Sequence, residues 1–166
     1  MDCLFCEFIS GKRKCHDNVS LYGKRKAARL NSVYEIINVI EDKYAFAFLT
    51  PPNNLKEHEL IVIPKKHCES FEDLSKPLLT ELILEIQKIV RIIRLHYGDC
   101  KILLNNGLAA EQYIPHVHFH LIVKDKNQNN LWRGLRPTEH MKLSLEIQKK
   151  LKNRNRLESK SNDSPL

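Results

Sequence analysis

Residues 116–122 read His116-Val117-His118-Phe119-His120-Leu121-Ile122, three imidazoles each separated by one large apolar side chain. An extended strand turns successive side chains to opposite faces, so this spacing sorts the segment into two surfaces. Val117, Phe119 and Leu121 can seal a core while His116, His118 and His120 line up on the other side. Three imidazoles gain nothing as packing, because each is a polar ring that needs partners when buried. A merely solvated strand face carries Thr, Lys or Glu, which have no proton-transfer chemistry near neutral pH. This segment is the active-site candidate.

Cys3-Leu4-Phe5-Cys6 is a second chemical signal. On its own such a pair supports half of a zinc site, a redox pair or neither. A structural zinc takes four ligands in a tetrahedron, and thiolates with neutral imidazoles suit it. His67, after Pro64-Lys65-Lys66, and His116 are the candidate partners of the two thiols. Such an ion would tie the N-terminus to the sheet. Taken alone, His67 reads equally well as a surface histidine.

The chain of 166 residues suits one domain with a real core, with or without tails. Its formal net charge of +7 favours an anionic ligand such as a nucleotide, or a loose attraction to nucleic acid. Gly11-Lys12-Arg13-Lys14 and Gly23-Lys24-Arg25-Lys26 repeat one basic tetrapeptide, and residues 149–160 add a basic cluster. Solvated basic loops are the plain reading of these. No run approaches the roughly 18 apolar residues of a membrane span, so no membrane partner is expected. The opening residues lack the basic-then-apolar pattern of a secretory signal. Five cysteines do not make a disulfide framework. A reducing, cytoplasmic location is expected.

The elements that position these groups follow from period and breakers. Residues 33–41 are rich in β-branched types and predict a strand; Asp42-Lys43 turns into a second over 44–49. Pro51-Pro52-Asn53-Asn54 predicts a loop, and residues 60–63 a third strand stopped by Pro64. Ser75 and Pro77 open a helix whose Leu79, Leu82, Ile83, Ile86, Ile89, Val90 and Ile93 recur at helical spacing, to about His96. Residues 102–104 and 117–123 predict two further strands around an Asn105-Asn106-Gly107 turn. Pro137-Thr138-Glu139 can start a C-terminal helix. The expectation is an α+β domain over 1–136, with an antiparallel sheet of about five strands, one long helix and a basic insert within about 11–36. A helix over 137–152 and a disordered tail over 153–166 would follow.

Several segments in one order extend the pattern. They are Cys3 to Ile9, Glu41 to Leu49, Ile61 to His67 with Glu72-Asp73-Leu74, and Asn105-Asn106-Gly107 through Gln112 to His120. Together they resemble the histidine-triad (HIT) superfamily, in its zinc-bearing short type related to nucleoside phosphoramidate and dinucleoside polyphosphate hydrolases. The resemblance implies that His118 is a nucleophile. It would attack the α-phosphate of a purine nucleotide or nucleotide conjugate and form a nucleotidyl-histidine, which water or another acceptor resolves. It further implies that His120, Asn105 and Gln112 bind substrate, and that Cys3, Cys6, His67 and His116 hold a structural Zn2+. Where family members carry an acidic residue for the ribose hydroxyls this chain has Thr50, and where a small hydroxyl residue follows the glutamine it has Tyr113. Trp132 would either cover the site or pack on the surface.

Two other readings compete with the nucleotide hydrolase or nucleotidyl transferase. One is a metal-dependent hydrolase with catalytic zinc at the triad itself. The other is a non-catalytic nucleotide- or RNA-binding module; aromatic residues at 7% provide no single-strand platform, so nucleic acid is not favoured. Relatives of this kind dimerise through sheet and helix. The apolar face of residues 79–93 permits a homodimer, and a monomer fits as well.

Overall fold

The structure, a computed structural model, describes residues 3–13, 15–16, 34–40, 42–50, 58–129, 131–132 and 135–162; for 15–16, 34–35 and 155–162 the description is of the backbone. Most of the expected basic insert, the Pro51–Asn54 loop and Arg133-Gly134 lie outside the described residues. A short helix α1 (Leu4–Ile9) precedes a two-residue ribbon, β1 (Cys15–His16) antiparallel to β2 (Tyr34–Glu35). The main sheet has four strands: β3 (Ala45–Leu49), β4 (Leu60–Pro64), β5 (Asp99–Leu104) and β6 (Phe119–Lys124). They lie side by side as β3-β4-β6-β5, every pair antiparallel. Helix α2 (Lys76–His96) and the C-terminal α3 (Pro137–Asn162) complete the α+β fold.

The sheet therefore has four strands where about five were expected. The missing strand is the one predicted over 33–41, which ends as a ladder at Glu35. The cause is Asn38. Its Oδ1 accepts from the amides of Ile40 at 3.2 Å and Ala47 at 3.4 Å, taking over hydrogen bonds that a regular rung would make. One backbone bond, Val39 to Ala47 at 2.7 Å, still holds the segment beside β3, and Val39 and Ile40 are buried.

Strands β3 and β4 are buried at every position, because both faces of the sheet are covered. Ala45, Ala47, Leu49, Leu60 and Val62 face a core shared with α2. Phe46, Phe48, Ile61 and Ile63 face a second cluster closed by Phe5 and Phe8 of α1. Alternation along β6 and the residues just before it divides in the same way, with Val117, Phe119, Leu121 and Val123 in the α2 core. On α2 the buried stripe is Leu78, Leu82, Glu85, Ile86, Ile89, Ile92 and Ile93. Leu79 and Val90 are only partly buried and Ile83 is exposed, so the helix is rotated slightly from the face expected. Truncating a wholly buried residue such as Leu82 or Ile89 to Ala costs about 2–5 kcal/mol.

Helix α3 runs past Leu151 to Asn162, into the stretch expected to be a disordered tail. Apolar content falls there, but Leu, Lys, Arg and Glu are strong helix formers and carry the backbone onward. Its first half is anchored by polar bonds. His140 Nε2 donates to the Leu49 carbonyl at 2.9 Å, and Gln148 Nε2 to the Asn38 carbonyl at 2.7 Å. His58 Nδ1 donates to the Thr50 carbonyl at 2.7 Å, with its ring 5.4 Å from that of His140. Burial pushes His58 down to about 4 and lowers His140 as well. Trp132 takes neither expected place: it is buried in the α2 core, edge-on to Tyr97 at 5.5 Å.

Candidate active site and metal centre

β6 begins at Phe119, so His116 and His118 stand on the chain just before the strand. Two backbone bonds hold that approach: His116 N–H to the Ile114 carbonyl across Pro115, at 2.8 Å, and Val117 N–H to the Cys68 carbonyl, also at 2.8 Å. The second bond places His116 beside His67.

Four candidate ligands, separated by as many as 113 residues, converge there. The donor atoms of Cys3, Cys6, His67 and His116 all lie within 4.8 Å of one another. His116 Nδ1 is 3.4 Å from Cys3 Sγ, 3.7 Å from Cys6 Sγ and 3.4 Å from His67 Nδ1; Cys6 Sγ is 3.5 Å from His67 Nδ1. A tetrahedral zinc with ordinary bond lengths has edges of about 3.3 Å between nitrogens and about 3.6 Å between sulfur and nitrogen. The group fits such an ion. His116 Nε2 donates to the Pro64 carbonyl at 2.9 Å, which fixes the tautomer that leaves Nδ1 a lone pair for a metal.

Beside this group lies a cavity of about 240 Å³. His118, His120 and Asn105 line it, with Phe5, Ile61, Leu103, Ile114 and Ile122 as apolar walls and Thr50, Glu59, Glu111 and Tyr113 around them. Register explains the walls. Ile61 of β4 and Leu103 of β5 stand directly opposite His120, so all three share one face. Phe5 packs edge-on to His118 at 5.2 Å and to His116 at 5.8 Å, joining the cavity to the metal-ligand group.

Each cavity histidine is oriented through Nδ1. His118 Nδ1 donates to the His116 carbonyl at 2.7 Å, which leaves Nε2 with the lone pair. Burial pushes His118 down to about 4, so the ring is neutral near pH 7. His120 Nδ1 lies 2.7 Å from Glu59 Oε2, and the two histidine rings are 4.9 Å apart. A neutral imidazole with a free Nε2, in a mostly apolar cavity, can act as a nucleophile.

The remaining expected residues are distributed differently. Gln112 is buried outside the cavity lining; its Oε1 accepts from Gly107 N–H at 2.6 Å and its Nε2 donates to the Glu69 carbonyl at 2.7 Å. It ties the loop after β5 to the segment after β4. Thr50 is buried, and its hydroxyl accepts from Glu59 N–H at 3.0 Å. Tyr113 is exposed and lines the cavity. Glu59, Phe5, Ile61, Leu103, Ile122 and Glu111 were not singled out from sequence. The one available signal was parity: Glu59 and Ile61 are two apart and so share a face of one extended segment.

The family model described as the HIT domain matches residues 32–127. The chain belongs to the HIT domain family. Among relatives, this HIT protein is 28% identical over 157 residues to an adenosine 5'-monophosphoramidase of Schizosaccharomyces pombe, covering 92% of this chain and 100% of that one. It is 36% identical over 96 residues to an adenosine 5'-monophosphoramidase of Saccharomyces cerevisiae, covering 58% of this chain and 59% of that one. A zinc-bound histidine triad family protein from Mycobacterium smegmatis shares the fold, with a TM-score of 0.66 at 22% identity over 93% of this chain and 98% of that one. Among the described residues, no helix of this HIT protein is long and apolar enough to cross a membrane.

Proposed function

We propose that this HIT protein is a nucleotide hydrolase that cleaves at the α-phosphate of a nucleoside phosphoramidate or a related acyl-nucleotide or dinucleoside polyphosphate. The observation that carries the reading is His118, with Nδ1 committed to the His116 carbonyl and Nε2 left for attack in the cavity. Nε2 would attack phosphorus in line, giving a nucleotidyl-histidine that water or another nucleophile resolves. His120 faces the same space and can bind the phosphate, with Asn105 at the rim. Ile61, Leu103 and Ile122 provide an apolar wall for a base. The two adenosine 5'-monophosphoramidases among the relatives support an adenosine phosphoramidate as the first substrate to try.

Zinc is the ion we assign to Cys3, Cys6, His67 and His116, on the fit of the donor atoms to a tetrahedron. It would act by holding the approach to β6 and makes no contact with the phosphate in this scheme. Thiolate ligation needs reduced cysteines, which agrees with a cytoplasmic setting. Zinc at the triad itself has less support, because the donors that converge are those of His116 and its three partners rather than His118 and His120.

The test is turnover of adenosine 5'-phosphoramidate by the wild type and His118→Gly, with intact-mass analysis of quenched reactions. We expect release of AMP, a mass increase equal to one adenylyl group, and loss of both in His118→Gly by on the order of 10³-fold or more. Turnover that survives His118→Gly would overturn the reading.

A further inference from the structure

The cavity lining is short of cations for a site that takes a nucleotide. Among the described residues that line it there is no Lys or Arg, although the chain as a whole carries +7, and there are two acids, Glu59 and Glu111. Glu59 is engaged by His120, and the Thr50 hydroxyl by the Glu59 N–H. On the reading above, His118, His120 and Asn105 attend the phosphate, and Ile61, Leu103 and Ile122 the base. Glu111 and Tyr113 are left without a task. Both are exposed, on either side of buried Gln112.

Glu111 is also held in a strained conformation. Its φ of 67° and ψ of 23° put it in the left-handed region, as the residue that ends the turn Leu108–Ala110. Gly or Asn fills such a position with less strain. The loop around it is closed tightly. The Gly107 carbonyl accepts from Ala110 N–H at 3.0 Å and from Gln112 N–H at 3.1 Å, and the Leu108 carbonyl accepts from Glu111 N–H at 3.0 Å. Gln112 Nε2 then ties the loop to the Glu69 carbonyl at 2.7 Å. An acidic side chain kept at a strained, well-anchored place in a cavity wall points to a use in binding.

We propose that Glu111 and Tyr113 form the leaving-group subsite and select an amine that carries a second positive charge, such as a diamine joined to the nucleotide through one nitrogen. The inference rests on the reaction proposed above and chooses among its substrate classes. In-line attack by His118 sends the leaving group to the side of phosphorus away from that buried ring, where exposed lining residues can meet it. A carboxylate there attracts a distal ammonium, and a phenol ring two residues on can offer its face to the same cation. The same carboxylate repels the further phosphates of a dinucleoside polyphosphate. One charge thus favours one substrate class and disfavours another.

Two adenosine phosphoramidates of equal length test this. One is built on 1,4-diaminobutane and the other on pentylamine, which puts a methyl group where the first has its ammonium. Wild type should prefer the charged one by about five- to tenfold in kcat/KM at low salt, the effect of one exposed charge pair and a cation–ring contact. The preference should shrink as salt is raised. In Glu111→Gln it should fall to about one, in Glu111→Lys it should reverse, and Tyr113→Leu should remove about half of it. Glu111→Lys should also raise kcat/KM on diadenosine tetraphosphate by about fivefold, a gain that loss of folding cannot produce. Equal losses on both amidates with the preference kept would overturn the proposal, as would a tetraphosphate rate that does not rise. Wild type forming no nucleotidyl adduct with any of the three substrates would sink the underlying reaction and this inference together. An adduct that depends on His118, with the same preference between the amidates in wild type and Glu111→Gln, would sink the subsite alone.

Discussion

The carbonyl of His116 accepts the Nδ1–H of His118 at 2.7 Å, while the ring of the same His116 stands 3.4 Å from Cys3 Sγ. One residue thereby serves two candidate centres, its side chain in the proposed metal-ligand group and its backbone on the proposed nucleophile. Anything that frees the His116 ring also loosens the acceptor that sets the His118 tautomer.

Loss of the proposed zinc should therefore act on the proposed reaction through geometry. In Cys3→Ser we expect zinc, measured by elemental analysis, to fall from about one per chain. We expect kcat to drop by about 10–100-fold with KM little changed, as when support around a metal site is lost. Chelation of the wild type should abolish activity only as fast as the fold loosens, followed by circular dichroism in parallel. An instant, fully reversible loss with the fold unchanged would instead put a metal at the reacting phosphate.

Leu103 stands opposite His120 and is partly exposed, so replacing it disturbs the core little. Leu103→Glu removes apolar wall and adds a negative charge where a nucleotide would lie. A rise in KM of about tenfold, with kcat within about threefold, is expected from steady-state kinetics. Unaltered KM would mean that the base lies elsewhere.

Acid should weaken the fold through His58 and His140. Burial holds His58 at about 4 and lowers His140, while in the unfolded chain both titrate near 6.5. Between those values the unfolded chain binds more protons, so stability is full above pH 6.5 and falls as pH drops towards 4. His58 alone supplies a slope of about 1.4 kcal/mol per pH unit in that window, on the order of 3 kcal/mol in all. Urea unfolding at pH 7, 6 and 5 should show a slope at least that steep, because His118 and His140 are lowered too, and His58→Asn should remove its share. An equal slope in the variant would remove His58 from the account.

Gly98, between α2 and β5, has no room for a side chain. A Cβ there would stand 2.6 Å from the Lys124 carbonyl oxygen, a backbone atom of β6 that cannot swing aside. Gly98→Ala should cost about 1–3 kcal/mol and lower Tm by about 2–10 °C. Lys124 lies at the far end of β6 from His118, so kcat/KM per folded molecule should persist. A thermal shift assay with matched kinetics checks both.

The legible parts of this chain were those with a strict period. Alternation over Val117, Phe119 and Leu121 located the core face of β6, and recurrence of Leu82, Ile86, Ile89 and Ile93 located α2. The cysteine pair is half a site on its own; the resemblance supplied His67 and His116 as its partners, and the fold brings the four donor atoms within 4.8 Å of one another. Less legible was whatever depends on one side chain meeting a distant backbone. Asn38 ends a β-branched run that period alone extends, because its amide competes for the ladder bonds. Glu59 is an unremarked charge before a strand until register sets β4 against β6 and brings it to His120. Trp132 follows a turn, and only its packing on Tyr97 shows which way it faces.

The division of β6 between an apolar face and an imidazole face bears on how the chain finds its register. Sliding this strand by one residue against β4 would exchange the two faces along its whole length. His120 would enter the α2 core without a partner, and Phe119 and Leu121 would be turned out into the cavity. Unpartnered polar rings are costly in such surroundings. His120, proposed to bind the phosphate, would therefore also penalise a mispaired sheet. Replacing His120 with an apolar residue would remove that penalty.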